Sequence, residues 1–168
     1  MALFRRSVPG EARGLVSLAR GERILLASAT PAGWLVATTH ALWLPEGASL
    51  IRVGWEFVDN AVWDRDSSSL QVHQTAELGG RPRLWNLGMD DDRDLLLVIK
   101  ERVRATVITS RRVPVDGARG FTIVARRPPG QDAVTWTVAV DAGLDLDEAT
   151  LRASVDQALG EMRAELGQ

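Results

Sequence analysis

Ser49-Leu50-Ile51-Arg52-Val53-Gly54-Trp55 is the stretch that decides the fold. Ile51, Val53 and Trp55 fall on one face, Arg52 and Gly54 on the other. That period of two is the signature of a half-buried strand. The segments on either side repeat it. Upstream, Ile24 to Ala29, Trp34 to Thr38 and Ala41 to Leu44 are short apolar runs. They are parted by Thr30-Pro31-Ala32-Gly33, Thr39-His40 and Pro45-Glu46-Gly47, which carry turn chemistry. Downstream, Asn60 to Asp64, Ser69 to Gln74 and Arg83 to Leu87 follow, separated by Asp64-Arg65-Asp66-Ser67-Ser68 and Gly79-Gly80-Arg81-Pro82. Leu70 and Val72 point inward, Gln71 and His73 outward. Short strands at this spacing predict a small antiparallel barrel or sandwich.

The period then changes. Asp90-Asp91-Asp92 places carboxylates where the free N–H groups of a helix start want them. Leu96, Ile99, Val103 and Val107 follow at helical spacing, predicting a helix from about 91 to 108. Beyond it, Gly120 to Arg126 and Ala133 to Val140 read as strands joined through Arg127-Pro128-Pro129-Gly130-Gln131. Asp145 and Glu148 form a capping pair for a last helix with a stripe of Leu151, Val155, Leu159, Met162 and Leu166. A short helix is expected after Pro9. The expected organisation is an N-terminal segment over 1–20, a seven-stranded unit with its helix over 21–110, and a ββα extension over 111–168.

The 168 residues are 45% apolar and 25% charged, an ordinary globular composition. The absence of Cys excludes disulfides, thiolate metal sites and a cysteine nucleophile. Two His are too few for a multi-histidine metal centre. The N-terminus, broken by Arg5 and Arg6, lacks the apolar run of a secretory signal, and no stretch is long and apolar enough to span a bilayer. The expected location is therefore cytoplasmic. The net charge of −2 hides segregation: −2 over residues 1–99, +6 over 100–127 and −6 over 128–168. Such a basic middle either meets an anionic partner or pairs with the acidic tail.

Gly21-Glu22-Arg23-Ile24-Leu25, Gly33-Trp34-Leu35-Val36-Ala37-Thr38, Ala41-Leu42-Trp43-Leu44 and Ile51-Arg52-Val53-Gly54-Trp55-Glu56-Phe57-Val58 resemble the strands of bacterial pleckstrin-homology-like domains. The resemblance covers about residues 20–108. It implies a seven-stranded antiparallel barrel or sandwich capped by an amphipathic helix, here followed by the ββα extension, so an α+β protein. Such domains are mostly binding modules for lipid head groups, peptides or proteins. Basic residues mark the first hairpin loop of their lipid-binding members. Thr30-Pro31-Ala32-Gly33 has none, so no ligand residues carry over.

No phosphate-binding loop, dinucleotide fingerprint, nucleophile elbow or zinc-protease helix is present. His40 and His73 lack a partner in any recognisable motif, and the Asp90–Asp92 run lacks calcium-loop spacing. The expectation is a non-catalytic adaptor with no cofactor or metal. Its partner is a protein or peptide, a second copy of the chain included. Peripheral binding to anionic lipid is the alternative, and a small-substrate enzyme a third reading. Nucleic acid is disfavoured by a pI of about 5.7 and the lone aromatic Phe121 in the basic segment. Candidate binding residues are Arg111, Arg112, Arg126 and Arg127, whose guanidinium groups suit phosphate or carboxylate, with Trp43, Trp63 and Trp85, whose neighbours allow either face to be inward.

Overall fold

The computed structural model describes residues 8–76 and 80–168. The chain is α+β, with three antiparallel sheets. Strands β1 (Ile24–Thr30), β2 (Gly33–Thr38), β3 (Ala41–Glu46) and β4 (Ser49–Gly54) form the first in sequential order. Strands β5 (Val58–Asp64), β6 (Ser69–Gln74) and β7 (Arg83–Gly88) form the second.

The seven expected strands are all present, but they do not close into one hydrogen-bonded barrel. The alternation of Ser49 to Trp55 ends at Gly54, where a 3-10 turn over Trp55–Phe57 carries the chain out of the first sheet and into β5. The two sheets share an interior instead. Leu26, Leu35, Leu42, Leu44 and Val53 from one meet Ala61, Leu70, Val72, Trp85 and Leu87 from the other in a single cluster. Trp55 is fully buried there, and its indole N–H donates to the Thr38 carbonyl at 3.0 Å.

Helix α2 (Arg93–Thr106) lines that cluster with Leu95, Ile99 and Val103. Asp92 caps it by accepting from the Leu95 N–H at 3.2 Å, as the acidic run predicts. The helix ends at Thr106, and Val107, placed on its stripe from the sequence, is exposed and opens a strand. Strand β8 (Val107–Asp116) pairs with β9 (Arg119–Arg126), and β9 with β10 (Thr135–Val140). The extension is thus βββα, and residue 110 falls inside β8. The two residues that turn the chain between β8 and β9 are Gly117 and Ala118, and Gly117, at φ 58°, supplies the left-handed backbone of the turn.

Helix α3 (Ala149–Glu165) covers one face of this third sheet. Leu151, Val155, Leu159 and Met162 pack on Phe121 and Ile123, as the stripe predicts, while Leu166 is exposed. The expected capping pair does not form: Glu148 makes no side-chain cap, and Asp145 accepts from Asp147 instead. On the first sheet's outer face, Ala12 of the five-residue helix α1 (Gly10–Gly14) lies over Val36, Ala41 and Trp43. Among the described residues no helix is long and apolar enough to cross a membrane.

Candidate binding groove

The candidate arginines separate once their partners are placed. Arg111 donates to Glu165 at 2.6 and 2.8 Å and to Glu161 at 3.3 Å, both on α3. Arg112 grips Asp141 with two nitrogens and also donates to the Ala118 carbonyl. That grip, with the Gly120 N–H, holds the Asp141 carboxyl down to about 2. Arg126 is only 3% exposed and donates to Thr106, Val103 and Asp59. Arg127 alone of the four is exposed without a carboxylate partner among the described residues.

The candidate tryptophans separate as well. Trp43 faces the outer apolar patch beneath α1, and its indole N–H has no partner among the described residues. Trp85 points into the shared interior, donating to Gln74 at 2.9 Å, with the Arg83 guanidinium stacked 3.5 Å from its ring centre. Trp63 is half-buried at the edge of the same interior.

Trp63 lies in a shallow groove of about 500 Å³ between β5 and α2. Strand β5 supplies Asn60, Ala61, Val62 and Trp63; α2 supplies Arg93, Leu96 and Lys100; Arg65 and Asp91 close the ends. β5 is the outer strand of its sheet, so its second edge pairs with no other strand among the described residues. Three cations thus stand against one carboxylate in the lining. Arg93 pairs weakly with Asp91 at 3.7 Å, and Arg65 and Lys100 have no ion-pair partner among the described residues. Neighbouring Asp64 is turned into its own loop, accepting from Ser67, the Asp66 N–H and Gln71. Sequence reasoning singled out Trp63 and placed Lys100 in the basic segment 100–127, but missed Arg65 and Arg93, because the two walls lie about thirty residues apart and the Asp90–Asp92 run draws attention to capping.

A second cleft, of about 400 Å³, lies between the second and third sheets, with Val138, Val140, Leu144 and Leu146 opposite Asp59 and His73. Asp59 and His73 share the lining of the second cleft with no hydrogen bond between them among the described residues. His40 lies 3.9 Å from Glu22, but that carboxylate is a structural latch, bonded to Thr38 and to the Ala19 N–H. Burial pushes its pKa up, yet these bonds and the charges of Arg52 and His40 outweigh it and hold it below the ordinary value. No group of His and carboxylates among the described residues is arranged to hold a metal.

Nothing among protein-family models, curated proteins or solved structures matches this chain.

Proposed function

We propose that this chain is a non-catalytic binding module that takes an acidic protein segment, in extended form, into the groove between β5 and α2. The observation that carries the reading is the combination in one place of an outer sheet edge, a half-buried indole and uncompensated Arg65 and Lys100. The edge of β5 can pair with the main chain of an added strand. Trp63 and Leu96 supply apolar contact, and the cations recognise carboxylate or phosphate on alternate residues. Each new main-chain bond is worth about 1 kcal/mol net.

A pleckstrin-homology-like architecture fits this reading. A four-stranded and a three-stranded antiparallel sheet sharing one interior, with a helix along it, support the resemblance carried by the strands. The anionic-lipid alternative has less support, since three of the four arginines it relies on are engaged within the chain.

Selection of displayed random peptides on the full chain tests the proposal. Enriched sequences should alternate apolar residues with Asp or Glu. The triple variant Arg65→Glu, Arg93→Glu, Lys100→Glu should lose at least about tenfold in affinity for them with little change in melting temperature, since exposed substitutions cost about 0.5 kcal/mol or less. No enrichment, or enriched peptides without acidic residues that bind the variant equally well, would overturn it.

A further inference from the structure

We infer that Arg126, contributed by the third sheet, is a positioning residue that sets the width of the groove by tying its two walls together at one end. The inference rests on the groove being the binding site. Each wall leads to this side chain. The strand that lines the groove with Asn60 to Trp63 begins beside Asp59, whose carboxylate accepts from Arg126 at 3.5 Å. The helix that lines it with Leu96 and Lys100 ends at Val103 and Thr106. There the Val103 carbonyl accepts from Arg126 at 3.5 Å and the Thr106 hydroxyl at 3.2 Å.

The tie is built rather than incidental. The guanidinium is buried, so its bonds to β5 and α2 have no water to replace them. Its planar fork sends one nitrogen to the helix and the other to the strand, a division that a lysine ammonium at the same place could not hold. The knot is completed locally. Thr106 itself donates to Val103 at 2.7 Å, and the Arg127 N–H donates to the Thr106 carbonyl at 2.8 Å. The third sheet therefore grips the end of α2 through main chain and side chain, and reaches across to β5 through Arg126 alone among these contacts.

The chain has no cysteine, so thiols can be introduced as the only ones present. Val62 and Leu97, 50% and 56% exposed, lie on the two walls' elements and accept spin labels after Val62→Cys and Leu97→Cys. Electron–electron distance measurement on this pair, well below the melting temperature, reads the separation of β5 and α2. A control pair, Val62→Cys with Leu84→Cys, lies wholly within the second sheet.

Arg126→Gln should broaden the first distribution and move it outward by about 1–2 Å, the size of ordinary helix shifts, leaving the control pair unchanged. Asp59→Asn, at a partly exposed position, should give the same change in smaller measure, and carries the test if Arg126→Gln does not fold. An unchanged distribution in the folded variants, or equal broadening of the control pair, would overturn the inference. These distances need no ligand. A wall shift together with a failed peptide selection would overturn the positioning role with the binding reading, leaving only a brace; unchanged walls with a successful selection would overturn Arg126 alone.

Discussion

Arg65 and Lys100 stand at the groove with no carboxylate within ion-pair distance among the described residues, whereas Arg111 and Arg112 on the third sheet are each held by carboxylates of the same region. The two regions hold cations of the same chemistry in opposite circumstances. In the third sheet the acid and the base are both supplied internally, so the arginines fasten α3 and the loop after β10 to β8. At the groove the one carboxylate in the lining, Asp91, pairs weakly with Arg93, and Asp64, next to Arg65, is spent on its own turn. Local abundance of arginine is thus a poor guide to an anion site. What matters is whether the fold delivers a carboxylate to each one.

The largest test of this contrast concerns cohesion. Phe121, fully buried under α3, and Trp55, fully buried between the first two sheets, anchor separate clusters. Either changed to Ala should cost about 3–5 kcal/mol in denaturant unfolding. Both variants should still unfold in one transition, because Arg126 and the Arg127 main chain bind the third sheet to α2. A separate early transition in Phe121→Ala would show the two regions to be independent.

A smaller effect should appear at Glu56, which is folded back over Gly54 so closely that any Cβ there would collide with its carboxylate. One of its oxygens is buried without a partner among the described residues. Burial raises its pKa, against the pull of its own N–H and of Arg52 and Arg126. A carboxyl whose folded pKa is raised costs stability once pH climbs from its ordinary value through the raised one, and the cost persists above it. Glu56→Gln should therefore raise the melting temperature at pH 7 and lose that advantage near pH 4. A lower melting temperature at pH 7 would mean that the ion attraction to Arg126 outweighs burial.

The smallest effect belongs to the exposed Arg112–Asp141 pair. With Asp141 held down to about 2, its contribution is present above the ordinary carboxylate value and disappears as pH falls from about 4 to 2. Asp141→Asn should melt slightly below the parent at pH 7 and together with it at pH 2, by calorimetry across that range. A difference that survives at pH 2 would assign the loss to packing rather than charge.

Much of the fold was legible because it is written in local periods. Leu70 and Val72 lie inward and His73 outward as their alternation requires. Asp92 caps α2, and four of the five residues on the last helix's stripe are buried. Strand β8 was missed although Val113 and Val115 alternate before Asp116-Gly117, a hairpin signal, because Arg111, Arg112 and Pro114 interrupt the apolar pattern. The partners of those arginines lie 29 to 54 residues away, a separation that no local pattern reports. Trp43 was undecidable because both faces of the first sheet are apolar, and only the packing of Ala12 shows which one it takes. The groove was least legible, being a relation between two elements rather than a property of either.

The join of α2 to β8 has a practical consequence. Thr106 is the last residue of the helix and Val107 the first of the strand, so no loop separates them. Rotation or sliding of the helix must be transmitted to the hairpin, as a crank moves the arm bolted to it. A chain cut after residue 110 would leave the helix end without the Arg127 N–H and Arg126 side chain that satisfy it, and would strand four residues of β8 without β9. The shorter piece should therefore be less stable than its own interior suggests, and domain swaps or fusions belong in the solvent-facing turns, such as the one at Gly117, rather than at this seam.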